Sequence, residues 1–238
     1  MWTRLRFYAR YGWRFVVQQR PEPLICGVAL TDRCNLSCRG CRVSNTGRPD
    51  TTWEQLVRLL RAAWDRGFRE LYLSGGEPML WRDGEYAIED AIAEARRIGF
   101  FHVHVYTNGT LGLDTSADLT WVSMDGLPGT FERRRGDYFQ EVERAVLEAK
   151  GRRLAVIYTI DRNTAGGMEP FLRWVRDTRF PVVGVMIYFY TPYYGRDDLF
   201  LNAEERAPLI DRLITCGRAR LPVMNYRAGL LALRSGDW

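Results

Sequence analysis

Residues 24–45 read LICGVALTDRCNLSCRGCRVSN. Residues 24–31 form an apolar run of strand length, and a polar loop follows. Three of the chain's five cysteines, Cys34, Cys38 and Cys41, fall within eight positions of that loop. Three readings compete for them. A disulfide framework normally has an even, dispersed cysteine set in a short secreted chain. Structural zinc takes four ligands, usually as two spaced pairs. Here there is no second pair, and the only histidines, His102 and His104, lie on a distant strand. An iron–sulfur cluster normally takes four cysteines. With three, one iron keeps an open position, which is a place for a ligand and so for chemistry. Clustered thiolates favour iron–sulfur over zinc, and the rest of the chain must decide. Cys26 and Cys216 read as small buried hydrophobes.

The chain has 238 residues, 46% hydrophobic and 26% charged, an ordinary globular mixture. Its net charge of +5 permits an anionic partner without demanding one. No apolar run approaches the length that spans a bilayer. The start lacks a signal peptide's apolar core and cleavage site. A cytoplasmic, reducing compartment is therefore expected, and it suits exposed thiolates.

Outward from the opening stretch, apolar runs alternate with helical periodicity. Strands are expected at 24–31, 70–75, 102–107, 120–124, 154–160 and 182–190. Helix 52–66 opens with Thr52 and Gln55 in capping-box spacing. Further helices are expected at 85–98, 139–150, 169–178 and 203–216, each with one apolar face. The short crossover 109–119 is expected to hold one helical turn. Strand–helix alternation argues for an α/β fold with a parallel sheet and helices outside. Six units are too few for an eight-unit barrel, so a partial barrel or an open doubly wound sheet fits. No linker or domain boundary is visible, and residues 1–238 read as one core domain. In either architecture the working loops sit at the carboxyl ends of the strands.

Those ends carry the remaining signals. After the second strand comes LSGGEP, with Gly75, Gly76, Glu77 and Pro78. After the third comes YTNG, with Asn108. After the fourth comes SMDG, with Ser123 and Asp125. Each is a turn signal by itself. Together they put cysteines, a Gly-Gly-Glu, an Asn and a Ser-x-Asp on one rim.

The spacing Cys34-x-x-x-Cys38-x-x-Cys41, followed after one helix by Gly75-Gly76-Glu77-Pro78, resembles the radical SAM superfamily. The resemblance covers roughly residues 24–191. It implies a partial (β/α)6 barrel. It implies that Cys34, Cys38 and Cys41 hold one [4Fe–4S] cluster, whose fourth iron is chelated by S-adenosylmethionine. It places Gly75–Pro78, with Glu77, at the methionine amino group, Ser123 and Asp125 at the ribose, and Asn108 nearby. By the same resemblance, the reduced cluster passes one electron to the sulfonium. The bond to the 5′ carbon breaks, giving methionine and a 5′-deoxyadenosyl radical that abstracts hydrogen from a substrate. An external one-electron reductant, flavodoxin- or ferredoxin-like, is implied. The residue before the third cysteine is often aromatic in the family and can pack on the adenine. Here it is Gly40, so any such stacking partner must come from elsewhere.

Other residues carry weaker expectations. Residues 1–20 hold Arg4, Arg6, Arg10, Arg14 and Arg20 and no acid. On a helix, Arg6, Arg10 and Arg14 share a face, with Leu5, Tyr8 and Phe15 roughly opposite. The favoured reading is a cap on the barrel bottom; a peripheral contact with an anionic membrane is the alternative. ERRR, residues 132–135, reads as a solvated turn; the alternative, since Arg135-Gly136 resembles an Arg-Gly pair that often follows the fourth strand's Asp-Gly in the family, is a role near the rim with an anionic substrate. His102 and His104 share a strand face and read as core. Tyr190, Tyr193 and Tyr194 are expected to face substrate. No cysteine follows Cys216, so one cluster is expected, and tail 219–238 resembles the start of an extension in larger relatives. Peptide, small metabolite or lipid, and RNA remain as substrate classes, with RNA weakest for want of a basic stripe beyond residues 1–20. The rival reading is a non-catalytic iron–sulfur or zinc-binding protein that keeps the fold.

Overall fold

The computed structural model describes residues 2–20, 22–193, 195 and 197–236, with side chains from residue 4 onward. Tyr194, one of the expected substrate-facing residues, lies outside them. Six parallel strands alternate with helices and stand side by side in chain order. They are β1 (Ile25–Thr31), β2 (Glu70–Gly75), β3 (His102–Thr107), β4 (Leu119–Ser123), β5 (Leu154–Ile160) and β6 (Val185–Phe189). The helices are α1 (Trp2–Val16), α2 (Trp53–Asp65), α3 (Ile88–Ile98), α4 (Glu132–Arg135), α5 (Phe139–Glu148), α6 (Met168–Asp177), α7 (Ala203–Arg218) and α8 (Arg227–Ser235). This is the partial barrel that the sequence resemblance implies.

The strands have two working faces because side chains alternate. Leu71, Leu73, Val103 and Val105 point outward and are covered by Leu56 and Leu60 of α2 and Ala91, Ile92 and Ala95 of α3. Val122, Val156, Tyr158 and Ile160 do the same beneath α5, α6 and α7. Buried apolar surface contributes about 25 cal/mol per Å², so these two outer layers supply most of the stability. The inner face is more polar. Leu119, Trp121, Ala155 and Ile157 pack there with Tyr106 and Met186. His104 accepts the Trp121 indole N–H at 3.1 Å in this interior. Burial pulls the His104 pKa down, which suits a neutral acceptor.

Local chemistry starts the helices. Thr52 Oγ1 accepts the N–H of Gln55, and the Gln55 side chain accepts the N–H of Thr52, so the expected capping box opens α2. Asn202 and Glu205 do the same for α7.

Three expectations change. The crossover 109–118 contains no helix. It must return past a six-residue strand, about 20 Å at 3.3 Å per residue, and an extended chain covers that where a helix of the same length falls short. Asp118 pins it, accepting from Val103 N–H at 2.8 Å and donating its own N–H to Val103 O. ERRR is not a solvated turn. It is helix α4, and its Arg134 and Arg135 side chains are nearly buried, because two fully buried carboxylates await them. Helix α1 does lie across the bottom of the barrel, but through Phe7 and Tyr8, with Tyr11 stacked on Phe7. Tyr8 donates to Glu70 at 2.6 Å, at the start of β2. Leu5 and Phe15, expected beside Tyr8, are exposed. No helix among the described residues is long and apolar enough to cross a membrane.

Candidate active site

The cysteine loop is built by two polar anchors that its motif does not announce. Asp32, at the end of β1, accepts the backbone N–H groups of Thr46, Gly47 and Arg48 and the Thr46 hydroxyl. Burial alone would push its pKa up; the cradle of four donors holds it below the usual carboxylate range. Asn45 adopts a left-handed backbone with φ of 56°. Its side chain accepts from Cys34 N–H at 2.9 Å and donates to the carbonyls of Cys34 and Leu36. The loop thus closes on itself with its thiols facing one way.

Each thiol has a polar hydrogen-bond partner. Leu36 N–H lies 3.4 Å from Cys34 Sγ and Asn108 Nδ2 lies 3.7 Å from it. The Ser44 hydroxyl lies 3.3 Å from Cys41 Sγ. Arg135 Nη1 lies 3.8 Å from Cys38 Sγ. Burial pushes the Cys34 and Cys38 thiols up. Donors to sulfur and the nearby guanidinium are the features that stabilise thiolates once a metal group takes the protons' place. All three cysteines line one cavity of about 410 Å³. They surround a space rather than a point, and three soft thiolates around such a space fit an iron–sulfur cluster.

The Gly-Gly-Glu-Pro segment forms the neighbouring wall. Gly76 N–H donates to Thr31 O and Glu77 N–H to Arg33 O, both at 2.8 Å, tying β2's end to the cysteine loop. A Cβ on Gly75 would stand 2.2 Å from Thr31 O, and one on Gly76 2.3 Å from Arg33 O. The close approach of two backbones demands both glycines. Glu77 itself is fully buried and turned away from the cavity. One carboxylate oxygen accepts from Met79 N–H and the Thr107 hydroxyl, the other from Asn108 N–H. Burial pushes its pKa up, against those three donors. Glu77 therefore fixes the end of β3, which places Asn108 on the cavity wall beside Cys34.

Ser123 also lines the cavity, but Asp125 does not. Asp125 is fully buried. Its Oδ1 accepts from Thr159 N–H and its Oδ2 from Arg135 Nε, both at 2.6 Å, with Arg134 Nε 3.2 Å away. Arg134 also pairs with the buried Asp161. The two residues of the Ser-x-Asp pattern are thus parted: one meets the cavity, the other holds the arginines that meet it.

The far wall is aromatic, with Tyr106, Tyr188, Phe189, Tyr190 and Tyr193. Gly40 explains part of its shape. Its φ is +80°, and a Cβ there would meet Leu199 at 2.6 Å and the Tyr190 ring at 3.2 Å. The volume beside the third cysteine is filled from the segment after β6. Burial and a 2.7 Å hydrogen bond to Asp197 push the Tyr190 phenol up to about 12, so it stays neutral.

The sequence pattern of the radical SAM superfamily matches residues 28–175. This chain belongs to the radical SAM superfamily. Family members use a [4Fe–4S] cluster and S-adenosylmethionine, and the thiol-lined cavity suits that pair. Among curated relatives, the GTP 3',8-cyclase of Parasynechococcus marenigrum is 37% identical over 135 residues, 50% of this chain and 39% of its own. The sporulation killing factor maturation protein SkfB of Bacillus subtilis is 28% identical over 125 residues, 48% of this chain and 29% of its own. The chain spans less than two-fifths of the length of these relatives. Solved structures share the fold. The enzyme anSMEcpe, with bound AdoMet and the Kp18Cys peptide, superposes with a TM-score of 0.67 at 20% identity, covering 84% of this chain and 63% of that one. Streptococcus suis SuiB bound to its precursor peptide SuiA gives 0.67 at 14% identity, covering 92% and 51%.

No motif read from the sequence gives a role to Asn45, Asp32 or Asp161, and Arg134 is read there only as part of a solvated turn. Only Asn45 left a trace, as an Asn that tolerates the left-handed region.

Proposed function

We propose that this radical SAM chain cleaves S-adenosylmethionine reductively and uses the resulting radical to abstract hydrogen from a peptide substrate. The observation that carries the reading is the cavity itself, with three thiols, each with a polar partner, on one wall and five aromatic side chains on the other. Cys34, Cys38 and Cys41 would hold the cluster. Bound there, the cluster and S-adenosylmethionine supply the one-electron chemistry, fed by a flavodoxin- or ferredoxin-like reductant. The protein's part is to orient and to exclude water. Gly75 and Gly76 keep side chains off one wall so that a ligand meets bare backbone. Asn108 and Ser123 offer polar side chains to the cofactor. Glu77 and Asp125 act at one remove, Glu77 through the Thr107–Asn108 turn and Asp125 through Arg135. Tyr106, Tyr188 and Tyr193 form the face left for substrate.

The peptide class is supported by the fold neighbours whose structures hold peptides, anSMEcpe and SuiB. A nucleotide is the second reading, favoured by the identity to GTP 3',8-cyclases over half the chain. GTP separates them. The reconstituted, dithionite-reduced protein is incubated with S-adenosylmethionine, with and without GTP, and 5′-deoxyadenosine is followed. The peptide reading expects the same slow rate in both. Stimulation by GTP, with hydrogen carried from GTP into 5′-deoxyadenosine, would move the assignment to the nucleotide.

A further inference from the structure

Helix α1 has two apolar faces, and the barrel uses one. Phe7 and Tyr8 turn toward Phe101 and His102 at the start of β3, and Tyr11 stacks on Phe7. Leu5, Ala9, Trp13 and Val16 follow one another at steps of four, four and three, so they lie along a single line on the other side. That line is in water: Leu5 is 62% exposed, Trp13 58% and Val16 66%, with Val17 next to them at 55%. Folded proteins seldom leave an apolar strip of this kind unpartnered.

The charges beside the strip narrow the choice of partner. Arg6 and Arg10 are exposed along its edge. Residues 1–21 hold five arginines and no Asp or Glu. Among the described residues, Arg14 pairs with Glu22, whereas no acid pairs with Arg6 or Arg10. A second copy of the chain would bring the same arginines against these, with no carboxylate on the helix to separate them. A surface of anionic lipid meets both features at once. Trp and aliphatic side chains settle at the boundary between headgroups and acyl chains, and arginines pair with the phosphates.

We propose that the outer face of α1, through Leu5, Trp13, Val16, Arg6 and Arg10, docks on an anionic lipid surface. The inference stands apart from the reading of the cavity. Helix α1 lies under the amino ends of the strands and the cavity opens at their carboxyl ends. A docked molecule would therefore keep its cavity mouth toward water, open to reductant and substrate.

The full chain is mixed with vesicles of phosphatidylcholine alone and of phosphatidylcholine with phosphatidylglycerol, and bound protein is separated by flotation. Binding is expected only to the anionic vesicles, with release by high salt. The pair Trp13→Ser and Val16→Ser, and separately the pair Arg6→Gln and Arg10→Gln, should each weaken it by roughly tenfold or more. Thermal melts should not move, because all four side chains are exposed. No binding to anionic vesicles, or binding unaltered in both double variants, would overturn the proposal. So would a dimer in light scattering that Trp13→Ser dissolves, since it would give the face to a second copy.

Discussion

Arg135 sets its Nη1 3.8 Å from the sulfur of Cys38 while its Nε holds Asp125 at 2.6 Å. One guanidinium thus joins a fully buried carboxylate to a thiol of the cysteine loop. At an effective dielectric constant of 20, a unit charge at about 4 Å is worth about 4 kcal/mol. Asp125 offsets much of this, which leaves on the order of 1.4 kcal/mol at the sulfur. That is about 59 mV for a one-electron couple. Arg135→Gln is therefore expected to assemble a cluster of normal iron content whose midpoint potential is lower by about 60 mV, with Arg135→Lys in between. A redox titration followed by electron paramagnetic resonance reads this. An unchanged potential at full iron content would remove Arg135 from that role.

Asp125→Ala is expected to harm the fold before it harms cofactor binding. It leaves Arg135 and Arg134 nearly buried without their shared carboxylate, and it strands the N–H of Thr159. Breaking a buried ion pair from one side costs about 3–5 kcal/mol. For a chain of this size each kcal/mol lowers Tm by about 2–4 °C, so a fall of about 10 °C is expected. A melt within about 2 °C of the parent, together with weakened S-adenosylmethionine binding, would show Asp125 acting on the ribose directly.

Glu77→Gln tests the other buried carboxylate. A glutamine amide accepts only through its oxygen, and its NH₂ would face a donor that Glu77 now serves. One buried N–H or O–H is left unpaired, at about 1–3 kcal/mol. The melt should drop by about 4–8 °C, and proteolysis should first cut near the Thr107–Asn108 turn. A variant as stable as the parent would mean that Glu77 is already protonated in the fold.

Gly76→Ala should lose most of its iron. The added methyl would stand 2.3 Å from the backbone oxygen of Arg33, and the cysteine loop must move to admit it. Gly166→Ala meets nothing within 4 Å and serves as the control. Iron and sulfide per chain after anaerobic reconstitution decide; full occupancy in Gly76→Ala would show that the loop tolerates the shift.

Much of the architecture is written locally. The capping box of Thr52 and Gln55, the six apolar runs and the cysteine spacing each depend on residues a few positions apart, and the structure carries them as read. What depends on distant pairing is not visible in this way. Arg134 and Arg135 look solvent-bound until Asp161 and Asp125, 27 and 10 residues away, are brought against them. Helix α1 could not be oriented by periodicity, because Phe7–Tyr8–Tyr11 and Leu5–Trp13–Val16 offer two apolar stripes. Ser123 and Asp125 are two apart, which suggests a shared direction. Asp125, however, lies beyond the last residue of β4, where strict alternation lapses, and its side chain turns to Thr159 instead.

The central claim is that Cys34, Cys38 and Cys41 hold a cluster that cleaves S-adenosylmethionine by one-electron reduction. The anaerobically reconstituted protein is reduced with dithionite and incubated with S-adenosylmethionine, and the products are separated by chromatography. The parent, Cys26→Ala and Cys216→Ala should each bind iron and sulfide and release 5′-deoxyadenosine and methionine. Cys34→Ala, Cys38→Ala and Cys41→Ala should do neither. A colourless parent that binds a single zinc ion would contradict the account, as would an iron-loaded parent that yields only S-adenosylhomocysteine or methylthioadenosine.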